Sequence, residues 1–166
     1  EKFNFSKNKI INYKNKIKVL VMPEGIPSEI ELFINFCLRN QCKEIVFNFR
    51  LHPIFKNNKI INEIMSRKSS NIKISNNNIN YDFNNNDFLL YRGTAAVMNA
   101  VKFGLVPIYL EEKNEVSVDP LFEVNKRYII DYDNNLLNFI NKILNKKNFR
   151  NELIKIKKFS KLFYDK

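Results

Sequence analysis

Short apolar runs alternate with amphipathic helical stretches along nearly the whole of this 166-residue chain. The apolar runs are rich in β-branched and aromatic residues and are bounded by turn-forming residues, which is typical of buried strands. We predict strands over 16–22, 44–51, 71–75, 87–91, 105–110 and 127–131. Strands that alternate with helices form right-handed βαβ units and a sheet that is covered on both faces. The sequence therefore predicts an α/β domain with a doubly wound, mostly parallel sheet of about six strands.

Helices are predicted between and after these strands, over 28–38, 57–65, 95–103, 134–146 and 149–163. Ser28 begins the first helix, and Glu31 three residues later completes a capping box. Thr94 is the predicted N-cap of the third helix, and Gly104 is its predicted stop. The Asn-rich stretch 76–86 is low in complexity and predicts a short tethered turn. This order of elements is Rossmann-like.

The formal net charge is +11, but the lysines are scattered along the chain and concentrated near both ends. This distribution favours a solvated basic surface over a specific nucleic-acid groove. Such a basic face can also sit on an anionic inner-membrane leaflet. No apolar run reaches the roughly 18–20 residues that span a bilayer. Cys37 and Cys42 predict two reduced thiols, as in a cytoplasmic protein, and no metal site.

The chain begins at Glu1 with neither a methionine nor a signal-like apolar segment. We therefore expect a longer protein with a further, amino-terminal domain. Within the chain, we expect a lead-in segment over 1–15, the α/β domain over 16–148 and a basic amphipathic helix over 149–166. That helix is predicted to pack partly outside this domain through an apolar stripe: Phe149, Leu153, Ile156, Phe159, Leu162 and Phe163.

Polar residues directly follow three of the predicted strands, and parallel strands end at one edge of a sheet. Glu24 follows the first strand, where it can accept from a ligand or merely cap the next helix. Arg50, after the second strand, can bind a phosphate bidentately or only pair on the surface. His52, the single histidine of the chain, can donate to a leaving phosphate or bond a backbone carbonyl.

The turn after the fourth strand adds a guanidinium, a hydroxyl and a helix N-terminus, which favours anions. It can equally be only a turn and a cap. Together the three turns predict an edge that binds a phosphorylated ligand. The candidate catalytic residues are His52 and Glu24, and the candidate ligand-binding residues are Arg50, His52, Arg92, Gly93, Thr94 and Ala95.

Two segments, FRLHP (49–53) and YRGTAAVMNAVKFGLVPIYL (91–110), resemble the C-terminal nucleotide-binding domain of GT-B-type bacterial glycosyltransferases. The similarity is to capsule, sialic-acid and teichoic-acid transferases, which share a His-Pro strand end and a later Ser/Thr-rich turn. The resemblance implies that His52 contacts the donor phosphate and assists its departure. It also implies that Thr94, with the amides of Ala95 and Ala96, holds the same phosphate. Glu24 and the following glycine are similar to an acidic motif that sialyltransferases carry in their other domain.

The resemblance implies transfer of a sugar from a nucleotide-activated donor to a carbohydrate acceptor in surface polysaccharide biosynthesis. The His-Pro pair favours a CMP-linked donor. No metal or other cofactor is expected, because the chain has no Asp-x-Asp motif and positive groups stabilise a leaving phosphate. Relatives often carry two hydroxyl residues where this chain has Gly93 and Thr94. No clear acid corresponds to their ribose-binding glutamate, and Glu111 and Glu112 are the nearest candidates. Two alternatives remain: a nucleotide-sugar epimerase of the same fold, and a non-catalytic module that binds an anion or a partner protein.

Overall fold

Six parallel strands form one sheet in this computed structural model, which describes residues 16–55, 58–113, 116 and 119–164. The predicted lead-in segment 1–15 lies outside the described residues. The strands are β1 (Ile17–Met22), β2 (Ile45–Phe49), β3 (Ile72–Ile74), β4 (Phe88–Tyr91), β5 (Val106–Glu111) and β6 (Tyr128–Asp131). Their order is β3-β2-β1-β4-β5-β6, and all neighbours pair in parallel. The predicted doubly wound α/β fold is confirmed.

Helices cover both faces of this sheet. They are α1 (Pro27–Arg39), α2 (Lys59–Ser66), α3 (Ile79–Asn85), α4 (Ala96–Lys102), α5 (Leu136–Leu144) and α6 (Phe149–Tyr164). A 3₁₀ turn, Pro53–Phe55, precedes α2. All four residues of β4 are buried, so both of its faces are covered, as expected for a central parallel strand. Among the described residues, no helix is both long and apolar enough to cross a membrane.

The two cysteines are free thiols, as predicted. Cys37 is fully buried in α1, and burial raises the pKa of its thiol well above the ordinary value. Burial also raises the pKa of the Cys42 thiol. Cys37 belongs to the hydrophobic core, and Cys42 is partly buried against it.

The first helix begins one residue before the predicted start, and the predicted capping box is wrong. Ile26 is the N-cap and Pro27 occupies the first turn, where its fixed φ suits a helix start and its missing N–H leaves nothing unsatisfied. No side chain caps this end. Glu31 instead pairs with Arg67, the residue directly after α2, at 2.9 Å.

The Asn-rich stretch forms a helix, α3, where the sequence predicted a turn. The Asn78 side chain accepts from the amide of Asn80 at 2.8 Å, which is an N-cap. Phe83 then anchors the helix, since its side chain is 1% exposed. One cap and one buried aromatic residue thus outweigh the weak helix propensity of asparagine.

The fourth helix begins at Ala96, one residue later than predicted, with Ala95 as the N-cap. Thr94 therefore precedes the cap position, although its hydroxyl still accepts from the Ala96 amide at 3.4 Å. The predicted stop at Gly104 is confirmed, because its φ of +91° is the left-handed conformation that favours glycine.

The terminal helix α6 begins at Phe149 as predicted and packs mainly against α4. Ile156 and Ser160 of this helix are fully buried. Leu162, near the end of the apolar stripe, is 66% exposed. The helix is therefore held by this domain on its inner side, and packing of its outer end against another domain stays a prediction.

Candidate functional site

Three turns lie side by side at the carboxyl edge of the sheet, and we name this region the switch-point edge: the turns 23–26 after β1, 50–54 after β2 and 92–95 after β4. Val21 pairs with Phe49 of β2, and Met22 pairs with Tyr91 of β4, so the three strands end at one level. The strand order reverses direction between β1 and β4. Open α/β sheets bind ligands at this point.

The turns after β1 and β4 meet through Glu24 and Gly93. A Cβ atom on Gly93 would stand 2.0 Å from Oε1 of Glu24, so the carboxylate rests where any other side chain would be. A side chain at position 93 would displace the end of the flexible Glu24 side chain. The sequence placed both residues at this edge, but it gave no sign that they touch.

A buried ion pair lies beneath this contact. Arg92 is 2% exposed and Glu29 is 5% exposed, and Nε of the arginine lies 3.6 Å from Oε1 of the glutamate. Oε2 of Glu29 accepts from the backbone N–H of Glu24. Nη1 of Arg92 donates to the carbonyl of Leu110 at 3.5 Å. Arg92, a predicted ligand-binding residue, thus lies inside the domain and supports the edge from below.

Arg50 is held by α3 and the segment that precedes it. Its Nη1 donates to Oδ2 of Asp82 and to the carbonyl of Asn77, both at 2.7 Å. The Asp82 side chain is 4% exposed and also accepts from the Ser75 hydroxyl at 2.6 Å. The charge of Arg50 is therefore balanced by a buried carboxylate, which ties α3 to the end of β2.

His52 is exposed, and its orientation is set by the following turn. Nδ1 accepts from the backbone N–H of Ile54 at 3.3 Å. An accepting Nδ1 carries no proton, so the proton of the neutral ring is on Nε2. The sequence analysis offered a bond from His52 to a backbone carbonyl as the alternative to ligand binding, and the observed bond to the Ile54 amide is different from it. Nε2–H therefore remains as the donor at this edge.

The turn after β4 presents Thr94 and Ala95 at the surface. Thr94 is half-buried and Ala95 is exposed. The Thr94 carbonyl accepts from the Val97 amide at 3.3 Å, and this bond fixes the turn against the first residues of α4. A hydroxyl and the end of a helix thus lie in the turn whose glycine touches Glu24.

Asp119 is a buried acid that the sequence analysis missed. It accepts from the Tyr91 hydroxyl at 2.8 Å and from the Leu121 amide at 2.9 Å, and it pairs with Arg127 at 2.7 Å. Burial, and then the Asp119 charge, raise the pKa of Tyr91, so its phenol stays a donor. This cluster secures the segment 119–127 to the last residue of β4. Its only sequence signal was an Asp-Pro pair, which indicates a turn but no partner.

The candidate ribose-binding acids lie farther along the same edge. Glu111 is exposed at the end of β5, opposite Asp131 of β6, and Glu112 is half-exposed. The Asp133 amide and Lys113 lower the pKa of Asp131. Among the described residues, no group of three or more His, Cys, Asp or Glu side chains is arranged to hold a metal ion.

Two surface grooves of about 340 Å³ and 330 Å³ lie away from the switch-point edge, between α6 and the segment 123–126 before β6. Lys126 and Lys155 line both of them, Lys158 lines the first and Phe159 lines the second. We name this region the α6 groove. Its lining combines these lysines with apolar side chains and with the acidic residues Glu123 and Glu152.

No protein-family model matches the sequence, and no curated protein matches it. Solved structures share the fold. The glycosyltransferase SnogD from Streptomyces nogalater has a TM-score of 0.60 and 8% identity over 88% of this chain and 40% of its own. The spinosyn rhamnosyltransferase SpnG, complexed with spinosyn aglycone, has a TM-score of 0.59 and 10% identity over 89% of this chain and 42% of its own.

A third similar structure is the UDP-GlcNAc 2-epimerase from Neisseria meningitidis bound to UDP-GlcNAc, with a TM-score of 0.54 and 14% identity. The match covers 95% of this chain and 46% of that one. The chain thus spans less than half the length of each of these proteins. They define its class of fold: a Rossmann-like α/β domain of the kind found in two glycosyltransferases and a nucleotide-sugar epimerase.

Proposed function

We propose that this domain binds a nucleotide sugar at the switch-point edge, as the donor-binding part of a GT-B-type glycosyltransferase. The observation that carries the proposal is the meeting of Glu24 and Gly93 at the point where the sheet reverses, next to the turn of His52. The sequence resemblance and the fold support the same class of ligand. Since the similar structures are more than twice as long, we assign acceptor binding to a further domain.

The exposed groups of the edge suit the two parts of such a donor. We assign Nε2–H of His52, the Thr94 hydroxyl and the Ala95 amide to the phosphate, because donors and a helix N-terminus favour an anion. Glu24 is an acceptor for sugar hydroxyls. In transfer, a hydroxyl oxygen of the acceptor forms a bond to the anomeric carbon and loses its proton to a base of the further domain. The bond between the anomeric carbon and the phosphate oxygen breaks, and its electron pair leaves with the phosphate. His52 stabilises that charge, while Arg50 and Arg92 remain with their buried partners.

The second candidate function is epimerisation of a nucleotide sugar, and the observation that favours it is the fold shared with the UDP-GlcNAc 2-epimerase. The two reactions differ in their products. An epimerase converts the nucleotide sugar to its isomer without an acceptor, whereas a transferase releases the nucleotide as the sugar moves to an acceptor. Incubation of the full-length protein with the nucleotide sugar alone separates them.

A nucleotide is expected to stabilise the folded domain. At a tenfold excess over the dissociation constant, it should add about 1.4 kcal/mol to the free energy of unfolding, which raises the melting temperature by several degrees. We test CMP, CDP, UDP and GDP by thermal shift and expect the cytidine nucleotides to act most strongly, following the His-Pro resemblance. A uridine preference would replace the cytidine proposal, and no response to any of the four would favour a non-catalytic module.

We further propose that the α6 groove faces an anionic membrane surface. Its lysines supply positive charge, while Phe122 and Leu162, exposed by 59% and 66%, supply apolar side chains nearby. A lysine near an anionic leaflet contributes about 1 kcal/mol. Lys155→Gln is therefore expected to weaken binding to phosphatidylserine-containing vesicles about fivefold. Lys68→Gln, at an exposed lysine between α2 and β3, is the control; equal effects of both changes would contradict a defined surface.

A further inference from the structure

The buried ion pair beneath the switch-point edge joins four elements of the fold. Glu29 belongs to α1 and accepts a hydrogen bond from the backbone N–H of Glu24 in the turn after β1. Arg92 begins the turn after β4 and reaches the carbonyl of Leu110 in β5. The two turns that this pair connects are the ones that meet at the Glu24–Gly93 contact.

Stability is a poor explanation for burying this pair. Desolvation of two charges offsets most of their attraction, and apolar residues of similar size often serve as well or better. The distance of 3.6 Å between Nε of Arg92 and Oε1 of Glu29 is also longer than a close charge-assisted hydrogen bond. The pair is better explained by the backbone groups that it holds, which are the Glu24 amide and the Leu110 carbonyl.

We propose that Glu29 and Arg92 are positioning residues that hold the Glu24 carboxylate against Gly93, where it can accept a hydroxyl of the sugar part of the ligand. Glu29 holds the backbone N–H of Glu24, and Arg92, which directly precedes Gly93, anchors the start of the turn after β4 through Glu29 and the Leu110 carbonyl. The sugar as substrate class rests on the proposed function; the positioning itself rests on the contacts alone. The pair is buried beneath the edge and acts through the two turns that it connects.

The test replaces the pair by apolar residues, Glu29→Leu with Arg92→Met, so that no unpaired charge is left in the interior. The matched control is Glu31→Leu with Arg67→Met, the same changes at an ion pair that also joins α1 but is nearly half exposed. Amide hydrogen exchange of the ligand-free proteins measures the turns 24–26 and 92–95. We expect exchange there to become about tenfold faster in the first variant only, while the amides of β1 and β4 stay protected.

Unchanged exchange at both turns would overturn the proposal. The turn 92–95 also carries the Thr94 hydroxyl and the Ala95 amide, which we assigned to the phosphate. Nucleotide affinity measured on the same proteins is therefore expected to fall about tenfold for Glu29→Leu with Arg92→Met and to stay unchanged for the control. If the unaltered protein binds none of CMP, CDP, UDP or GDP, the proposed function fails, whereas the exchange experiment still decides whether the pair positions the turns.

A second variant avoids the interior altogether. Gly93 has no left-handed φ, so Gly93→Ala brings no backbone strain, and the new methyl group collides with the end of the flexible Glu24 side chain. We expect Gly93→Ala to speed exchange in the turn 24–26, and to have no further effect once Glu24→Ala has removed the carboxylate. Effects that simply add in the double variant would show that the contact has no positioning role.

Discussion

Replacing Asp82 with alanine is expected to lower the free energy of unfolding by about 3 kcal/mol, at the low end for breaking a buried ion pair. The carboxylate is 4% exposed and takes hydrogen bonds from Arg50 and Ser75, at 2.7 and 2.6 Å. Its loss leaves the guanidinium without its buried partner. The low end applies because the arginine side chain is 23% exposed and keeps some water. Urea unfolding followed by circular dichroism measures the difference.

Asp133→Ala is the matched control, because it removes the same group from a surface pair. Asp133 lies 3.4 Å from Arg39, and the two side chains are 80% and 45% exposed. Exposed pairs of this kind contribute little. The comparison isolates burial as the cause. If both substitutions changed stability equally, the Arg50–Asp82 pair would not be what ties α3 to the sheet.

The sheet could be predicted because each strand is indicated by its own short run of apolar residues. In β1 and β4, consecutive apolar residues between turn-forming residues indicate strands buried on both faces, and all four residues of β4 are indeed buried. Once helices alternate with such strands, the right-handed crossover leaves few topologies. The helix starts were less predictable. Pro27 at the first turn is a local signal that the capping-box interpretation overlooked. The anchoring of α3 by Phe83, in contrast, depends on neighbours in space.

The candidate site could be predicted only as a set of turns. The rule that parallel strands end at one edge placed Glu24, His52 and Thr94 there. It could not distinguish surface groups from interior ones, and Arg92 is among the most buried charged residues described. An arginine at the edge can bind a ligand only when no buried carboxylate pairs with it. Glu29 and Asp82, the partners in question, lie in helices far away in sequence.

His52 is the residue at this edge with the clearest free donor. Because Nδ1 already accepts from the Ile54 amide, the ring presents Nε2–H, which suits an anionic oxygen. His52→Ala is therefore expected to weaken nucleotide binding by about one to two decades, or roughly 1.5–3 kcal/mol for a hydrogen bond to a charged group. The melting temperature should change little, since the side chain is exposed. Calorimetric titration and thermal unfolding of one preparation measure both.

Two further substitutions at His52 separate the roles of the two ring nitrogens. Asparagine places an acceptor near the position of Nδ1, so it can keep the Ile54 bond but cannot reach as far as Nε2. Glutamine places an amide donor near the position of Nε2. If His52 binds phosphate, glutamine restores part of the affinity and asparagine does not. Should asparagine restore affinity and glutamine fail, the histidine serves the 3₁₀ turn, and the phosphate contact must be assigned elsewhere on the switch-point edge.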